Sequence, residues 1–203
     1  MLLSRKISKQ GFATASLARS DRGGNRRINR AALARSQRRH ERASEPLHWS
    51  WSYEASQPGA SCSDLKARGT LITDHDADGD GVYEVLGIQG RRNGVKITGL
   101  VPAGTAIPGN IDPLTGIPYT VDNRIQPARS GQPGQVSPQG QLSSHGIGFS
   151  LADGTYSNIF LATYLDPPSY FDFHTQAPFP AGLVAPNTET TIHFQAQSPG
   201  LHF

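Results

Sequence analysis

The chain has 203 residues, of which 36% are hydrophobic, and this length allows one ordinary domain with an extension or two very small ones. Its single cysteine, Cys62, excludes an internal disulfide, and no apolar run reaches the about 18 residues that a membrane-spanning helix needs. The net charge of +3 is the sum of two opposite parts: residues 1–50 carry 12 Lys and Arg against 3 acidic residues, and residues 51–203 carry 7 against 13. The overall basic character therefore gives no argument for a nucleic-acid-binding domain.

Residues 1–46 are rich in Arg, Ser, Ala and Asn, and Phe12 is their one aromatic residue. Such a stretch cannot bury enough apolar surface to offset the entropy lost on ordering, so it predicts a basic, disordered arm with a transient helix over 28–40. A solvated tail is the favoured interpretation. Three alternatives stay open: an organellar transit peptide, an arm that contacts nucleic acid or anionic lipid, and a true translation start further downstream. Binding of nucleic acid or lipid through the arm is the less favoured of these.

The ordered domain is predicted to begin at Leu47 and to cover residues 47–203. Trp49, Trp51 and Tyr53 alternate with polar residues, and this period of two is typical of a half-buried β-strand. The aromatic face of this strand is expected to enter the core.

Three further β-rich runs follow, over residues 69–73, 82–88 and 95–100. An acidic, glycine-containing stretch separates the first two runs, and Asn93-Gly94 lies between the second and third. Asn-Gly supplies the positive φ angles of a tight hairpin, so the pattern predicts a three-stranded antiparallel meander.

Residues 101–140 contain frequent proline and glycine, which predicts a long loop with one short edge strand over 119–125. Strands are predicted again over 147–151 and 156–164, joined by a hairpin at Asp153-Gly154. Two more close the domain, over 170–174 and 190–196. Seven or eight short strands with no sustained helical period predict an all-β fold, namely an antiparallel β-sandwich.

An acidic turn over residues 74–84 is the sharpest local motif. Oxygen ligands at alternate positions around a glycine suit calcium, which takes about six to eight oxygens. Read from Asp74, the loop has Val85 where a bidentate glutamate belongs. When the loop is read from Asp76, the sequence predicts a candidate calcium site formed by Asp76, Asp78, Asp80 and Glu84. Neither register matches a helix-flanked calcium loop, and a solvated acidic turn is the favoured alternative.

No motif predicts catalysis. The chain has no nucleophile elbow, no P-loop and no dinucleotide-binding fingerprint, and its seven histidines lack the spacing of a zinc site. His193 alternates with Ile192 and Phe194, so it is expected on the solvent face of a strand. The protein is therefore predicted not to be an enzyme, with no catalytic residue and no certain cofactor.

A family resemblance covers roughly residues 49–197 and rests on several short motifs in a fixed order, at residues 69–73, 83–95, 97–100, 119–125, 148–154 and 180–194. Together they resemble the ectodomain of small bacterial exported proteins of the PEP-CTERM, exosortase-sorted type. The resemblance implies a secreted or surface-displayed β protein, often without assigned activity, in bacteria that make exopolysaccharide. It implies no catalytic residues.

This chain departs from that family pattern at both ends. Such proteins begin with a signal peptide and end with a Pro-Glu-Pro motif, a hydrophobic helix and a basic tail, and none of these is visible here. Either this copy is not exported, or its reading frame has been mis-started at one end and truncated at the other. The resemblance thus predicts an extracellular or cell-surface location that no export signal in the chain supports.

The sequence as a whole predicts a non-enzymatic exported or cell-surface protein of structural or interaction type. An extracellular polysaccharide or a surface protein is the expected partner, bound at the loop over 101–140 or at the acidic turn. The alternative is a calcium-assisted glycan-binding module that holds its ion at the acidic turn.

Overall fold

The computed structural model of this protein describes residues 45–56, 65–75, 79–128 and 140–199. The chain separates into two units, residues 1–42 and 43–203, and every described residue belongs to the second. The predicted arm over residues 1–46, with its transient helix, lies outside the described residues except for its last two positions.

Within the described residues the structure forms eleven β-strands and no helix. The strands are β1 Leu47–Ala55, β2 Lys66–Thr73, β3 Tyr83–Arg92, β4 Val95–Leu100, β5 Ala106–Ile111, β6 Pro118–Thr120, β7 Arg124–Ile125, β8 Ile147–Leu151, β9 Tyr156–Ala162, β10 Ser169–Thr175 and β11 Asn187–Gln197. In this part of the chain no helix is long and apolar enough to cross a bilayer.

Eight strands close into an antiparallel barrel in the order β2-β1-β11-β10-β9-β8-β4-β3, and the pairing of β3 with β2 completes the ring. Strand β7 pairs with β3 beside the ring, and β5 pairs with β6 in a separate two-stranded sheet. The predicted all-β, antiparallel class is confirmed, but a closed barrel stands in place of the predicted sandwich. Closure removes the open edge strands that each sheet of a sandwich would present.

The inside of the barrel is filled by side chains from alternate strand positions. On β1, Trp49, Trp51 and Tyr53 are buried, as the period of two predicts. The indole Nε1 of Trp49 donates a hydrogen bond to Thr73 Oγ1 at 3.0 Å, and the Trp51 ring lies 6.3 Å from that of Phe149 between centroids. The barrel is therefore packed along this strand with bulky side chains.

Both predicted tight hairpins are present. Asn93 and Gly94, between β3 and β4, have φ angles of 47° and 84°, as a two-residue turn of type I′ requires. Gly154, between β8 and β9, has a φ angle of 83°. The first hairpin places Arg92 opposite Val95, and this register decides which side chains of β3 and β4 are neighbours on the outer wall.

The segment over 101–140 is more regular than the predicted loop. Its described part contains β5, β6 and β7, and β5 packs on the outer wall of the barrel against β8, β9 and β10. A small second core forms there from Val101, Ile107 and Val121, against Tyr156 and Phe173.

The single edge strand predicted over 119–125 is divided into β6 and β7 by a turn at Asn123. This residue has a φ angle of 52°, and its Nδ2 donates a hydrogen bond to the carbonyl oxygen of Val101 at 2.7 Å. The prediction missed this division because it depends on a carbonyl group 22 residues away in the chain. Residues 129–139 lie outside the described part.

Candidate functional site

The acidic turn joins β2 to β3. The Oδ1 atom of Asp80 accepts a hydrogen bond from the backbone N–H of Val82 at 2.7 Å, and Asp74 Oδ1 accepts one from the N–H of Glu84 at 2.8 Å. These two carboxylates therefore stabilise the turn itself, as Asp side chains commonly do.

The candidate calcium site lies only partly within the described residues. Asp76 and Asp78 lie outside the described residues, whereas Asp80 and Glu84 are exposed. Among the residues that the structure describes, no group of three His, Cys, Asp or Glu side chains could hold a metal ion. Calcium binding stays a prediction. If calcium binds, the melting temperature should rise when calcium is added and return to its calcium-free value when a chelator is added.

A buried polar cluster lies inside the barrel. Asp172 on β10 is 0% exposed, and its Oδ2 lies 2.8 Å from Arg92 Nε on β3. The same oxygen accepts a hydrogen bond from the Tyr53 hydroxyl at 3.1 Å. Burial and the negative charge of Asp172 raise the pKa of Tyr53 well above its ordinary value. Burial opposes the charge on Arg92, but Asp172 outweighs it and the pKa of Arg92 is raised.

A serine and a histidine lie near this cluster. Ser157 Oγ is 3.1 Å from Nδ1 of the half-buried His174. Ser157 is fully buried, so its hydroxyl is not accessible to a substrate in this conformation. The ionic cluster and the buried Ser157 therefore contribute to the stability of the barrel interior.

The environment of His174 predicts a pH effect on stability. Burial, and then the positive charge of Arg92, lower the pKa of His174 in the folded protein. The unfolded chain binds this proton at about pH 6.5, more readily than the folded chain, so the stability contributed by neutral His174 is lost as the pH falls below about 6.5. We expect the free energy of unfolding to fall more steeply in the wild type than in His174→Gln on acidification.

Urea unfolding at several pH values measures this difference. His193→Gln, which changes an exposed histidine on β11, is the matched control and should retain the wild-type dependence on pH. An identical pH dependence in His174→Gln and the wild type would contradict the assignment.

The structure confirms that His193 is exposed between the buried Ile192 and Phe194.

The candidate site is a groove on the outer wall of the barrel. Two hollows of about 1150 Å³ and about 560 Å³ adjoin there and share Ser52, Arg68, Arg91 and Gln195. They run over β11, β1, β2, β3 and β4, and we call them together the outer groove. Its exposed side chains come from the strand positions that alternate with the buried ones.

Three exposed cations stand side by side in the outer groove. Arg68 on β2 lies directly opposite Arg91 on β3, and Arg91 lies directly opposite Lys96 on β4. We call these three residues the cationic row. Side chains that are directly opposite on neighbouring strands have Cβ atoms about 4.5–5.5 Å apart, so the three positive charges repel one another.

No acidic side chain forms an ion pair with the cationic row within the described part of the chain. The ion pair between Arg92 and Asp172 is the only one there with a nitrogen–oxygen distance of 4.0 Å or less. Arg91 donates a hydrogen bond from Nη1 to the carbonyl oxygen of Gly94 at 2.7 Å, which orients its guanidinium group without neutralising it. The cationic row therefore carries three positive charges available to an anion.

Neutral polar side chains surround the cationic row. Ser52 continues it on β1, and Gln195 continues it on β11, where its Nε2 donates a hydrogen bond to Ser52 Oγ at 3.1 Å. The next row of outward positions holds Ser50, Thr70 and Gln89. Hydroxyl and amide groups both donate and accept hydrogen bonds, so this surface suits a ligand rich in hydroxyl groups.

Two glycines shape the wall beneath the groove. Gly69 and Gly90 are directly opposite each other on β2 and β3, between Arg68 and Arg91 on one side and Thr70 and Gln89 on the other. A Cβ atom at Gly69 would lie 1.8 Å from the carbonyl oxygen of Gln89. The close approach of β2 and β3 at this point therefore requires glycine.

The sequence patterns did not predict the outer groove. The Asn93-Gly94 turn would have placed Arg91 opposite Lys96, because a two-residue turn pairs the flanking residues in order. No comparable local signal places Arg68 beside Arg91, since β2 and β3 are joined by a longer acidic turn with a register shift near Thr73.

By its fold and its site, the described part of the chain is a closed antiparallel β-barrel with a cationic groove on its outer wall. No protein-family model matches the chain, and neither the curated proteins nor the solved structures give a match.

Proposed function

We propose that this chain is a non-enzymatic exported or cell-surface protein whose outer groove binds an acidic polysaccharide. The observation that carries the proposal is the cationic row, in which Arg68, Arg91 and Lys96 are aligned without a carboxylate partner among the described residues. Directly opposed like charges destabilise a sheet, and a bound anionic chain would remove that repulsion.

The distribution of charge over the sequence supports a specific anion site. Residues 51–203 carry 7 Lys and Arg against 13 Asp and Glu, a net charge of −6. Four of those seven cations, Lys66, Arg68, Arg91 and Lys96, nevertheless line the outer groove. Glu54 is the one acidic residue among the described lining residues, so positive charge is concentrated on this face of an acidic domain, which favours the approach of polyanions there.

The chemistry of the lining favours a polysaccharide over a nucleic acid. Proteins that hold single-stranded nucleic acids stack the bases on exposed aromatic side chains. The Trp, Tyr and Phe residues that line the outer groove are Trp51, Tyr53 and Phe194, and all three are buried, at 3%, 3% and 8% exposure. The groove offers amides and hydroxyls instead, which match the hydroxyl groups of sugars.

The proposal predicts binding of the full-length protein to polygalacturonate, a polymer with one carboxylate on each sugar, and none to neutral dextran. Binding should weaken as salt is added, because screening acts on exposed charges. The triple variant Arg68→Gln, Arg91→Gln, Lys96→Gln should bind roughly ten- to hundredfold more weakly, since each exposed ion pair contributes up to about 1 kcal/mol. Isothermal titration calorimetry measures these affinities.

Two controls separate the groove from other positive charges. Arg124→Gln removes an exposed cation on β7, outside the groove, and should leave the affinity unchanged. Arg38→Gln, Arg39→Gln, Arg42→Gln removes three charges from the basic N-terminal part and should weaken binding much less than the groove variant. Equal losses of affinity in the two triple variants would show that overall charge, and not the groove, binds the polymer.

Repeating the titration with calcium and then with a chelator tests the alternative function, a calcium-assisted glycan-binding module. That alternative predicts tighter binding when calcium is present.

A further inference from the structure

We infer that the acidic polysaccharide lies across the strands, with the carboxylates of three successive sugars over Arg68, Arg91 and Lys96. This inference rests on the proposed function and specifies the ligand further: a linear chain with one carboxylate on every sugar. It predicts weaker binding for a compact anion and for a chain that runs parallel to the strands.

The direction follows from the register. Neighbouring strands lie about 4.7–4.9 Å apart, so the three members of the cationic row, on three neighbouring strands, span about 10 Å at right angles to the strands. A chain in this direction meets a positive charge at each strand. A ligand with regularly repeated negative charges can pair one charge with each of the three cations.

A chain along a strand would meet a less favourable surface. The outward neighbour of Arg91 on β3 is Gln89, which is neutral, and that of Lys96 on β4 is Thr98. Arg68 has a second cation on its strand, Lys66, but Lys66 lies directly opposite Glu54 on β1. The negative charge of Glu54 reduces the attraction of Lys66 for an anion.

The row has no further cation beyond Arg68, which limits the charged part of the ligand at that end. Beyond Arg68, the row continues over Ser52 and Gln195, which carry no charge and are joined by a hydrogen bond. Sugars placed there would meet hydrogen-bonding groups without cations. Three consecutive carboxylates therefore make the ionic contacts with the row, and a chain extended past Arg68 adds neutral contacts at that end.

Relocating one charge tests the alignment without changing the net charge. The double variant Arg91→Gln, Gln89→Arg moves a cation by one outward position along β3, from one exposed site to another. We expect its affinity for polygalacturonate to fall roughly two- to fivefold, as in Arg91→Gln alone, because the moved charge no longer lies between Arg68 and Lys96. Wild-type affinity in the double variant would overturn the inference, and unchanged melting temperatures would show that both variants fold.

Oligogalacturonates of defined length provide the second measurement. Affinity should rise steeply from one sugar to three and then level off, and a steady rise with every added sugar would contradict a three-charge contact. A different result would contradict the proposed function itself, namely the absence of any binding of polygalacturonate by the wild type. Tighter binding of a single-stranded DNA with the same number of charges would overturn both the ligand class and the direction argued from it.

Discussion

Replacing Asp172 by Asn is expected to lower the free energy of unfolding by about 3–5 kcal/mol, the loss typical of breaking a buried ion pair at one partner. The carboxylate of Asp172 is 0% exposed, and the Arg92 side chain is 10% exposed at a distance of 2.8 Å. The substitution keeps the shape of the side chain but leaves the guanidinium group without its counter-charge inside the barrel. Urea denaturation with linear extrapolation measures the change.

Glu54→Gln is the matched control for Asp172→Asn, because it makes the same carboxylate-to-amide change at an exposed strand position. Its effect should stay within about 0.5 kcal/mol. A loss below about 1 kcal/mol in Asp172→Asn would contradict the role given to the pair. The double variant Arg92→Met, Asp172→Leu should lose less than Asp172→Asn alone, since apolar replacement of both partners leaves no uncompensated charge.

Replacing Gly69 by Ala is expected to cost about 1–3 kcal/mol or more, through an overlap that side-chain rotation cannot relieve. The new Cβ would lie 1.8 Å from the carbonyl oxygen of Gln89 and 2.7 Å from the Cα atom of Gly90, and both atoms belong to the backbone of β3. Strands β2 and β3 would have to separate at this point. Because Arg68 and Arg91 flank the same pair of glycines, the variant should also bind polygalacturonate more weakly.

Gly99→Ala is the control for this prediction. Gly99 lies on β4, and a Cβ atom there would meet only Ser150 Oγ at 3.8 Å, which is ordinary contact. Its stability should be equal to that of the wild type or higher by about 0.4–1 kcal/mol, because alanine restricts the unfolded chain. If both alanine variants were equally stable, the close approach of β2 and β3 would not be a requirement of the fold.

The polysaccharide-binding and charge-relocation measurements test function. Asp172→Asn and Gly69→Ala test the stability of the barrel that positions the groove. Gly69→Ala connects the two, since it alters the floor of the outer groove without removing a charge. A variant that keeps its cations but loses affinity would show that the alignment of Arg68 with Arg91 matters in addition to their presence.

Local sequence patterns were sufficient where structure depends on neighbours in the chain. The alternation of Trp49, Trp51 and Tyr53 predicted β1 and its buried face, and Asn93-Gly94 predicted the hairpin between β3 and β4. Both signals act over a few residues, because side chains alternate along a strand and left-handed φ angles favour particular residues.

These local patterns could not predict which distant segments of the chain pair as neighbouring strands. Alternation makes one face of every strand apolar in a sandwich and in a barrel alike, so it cannot tell the two apart. The barrel depends on the pairing of β1 with β11 and of β4 with β8, between segments far apart in the chain. The ion pair between Arg92 and Asp172 joins residues 80 positions apart for the same reason.

The sequence by itself determined the all-β class, the strand faces, the tight turns and the division of charge between a basic N-terminal part and an acidic remainder. Tertiary structure alone decided that the sheet closes, that Arg92 points inward to Asp172, and that Arg91 points outward between Arg68 and Lys96. The physical reason is that strand register is set by contacts between segments, and a shift of one residue would exchange the inward and outward faces and remove the cationic row from the surface.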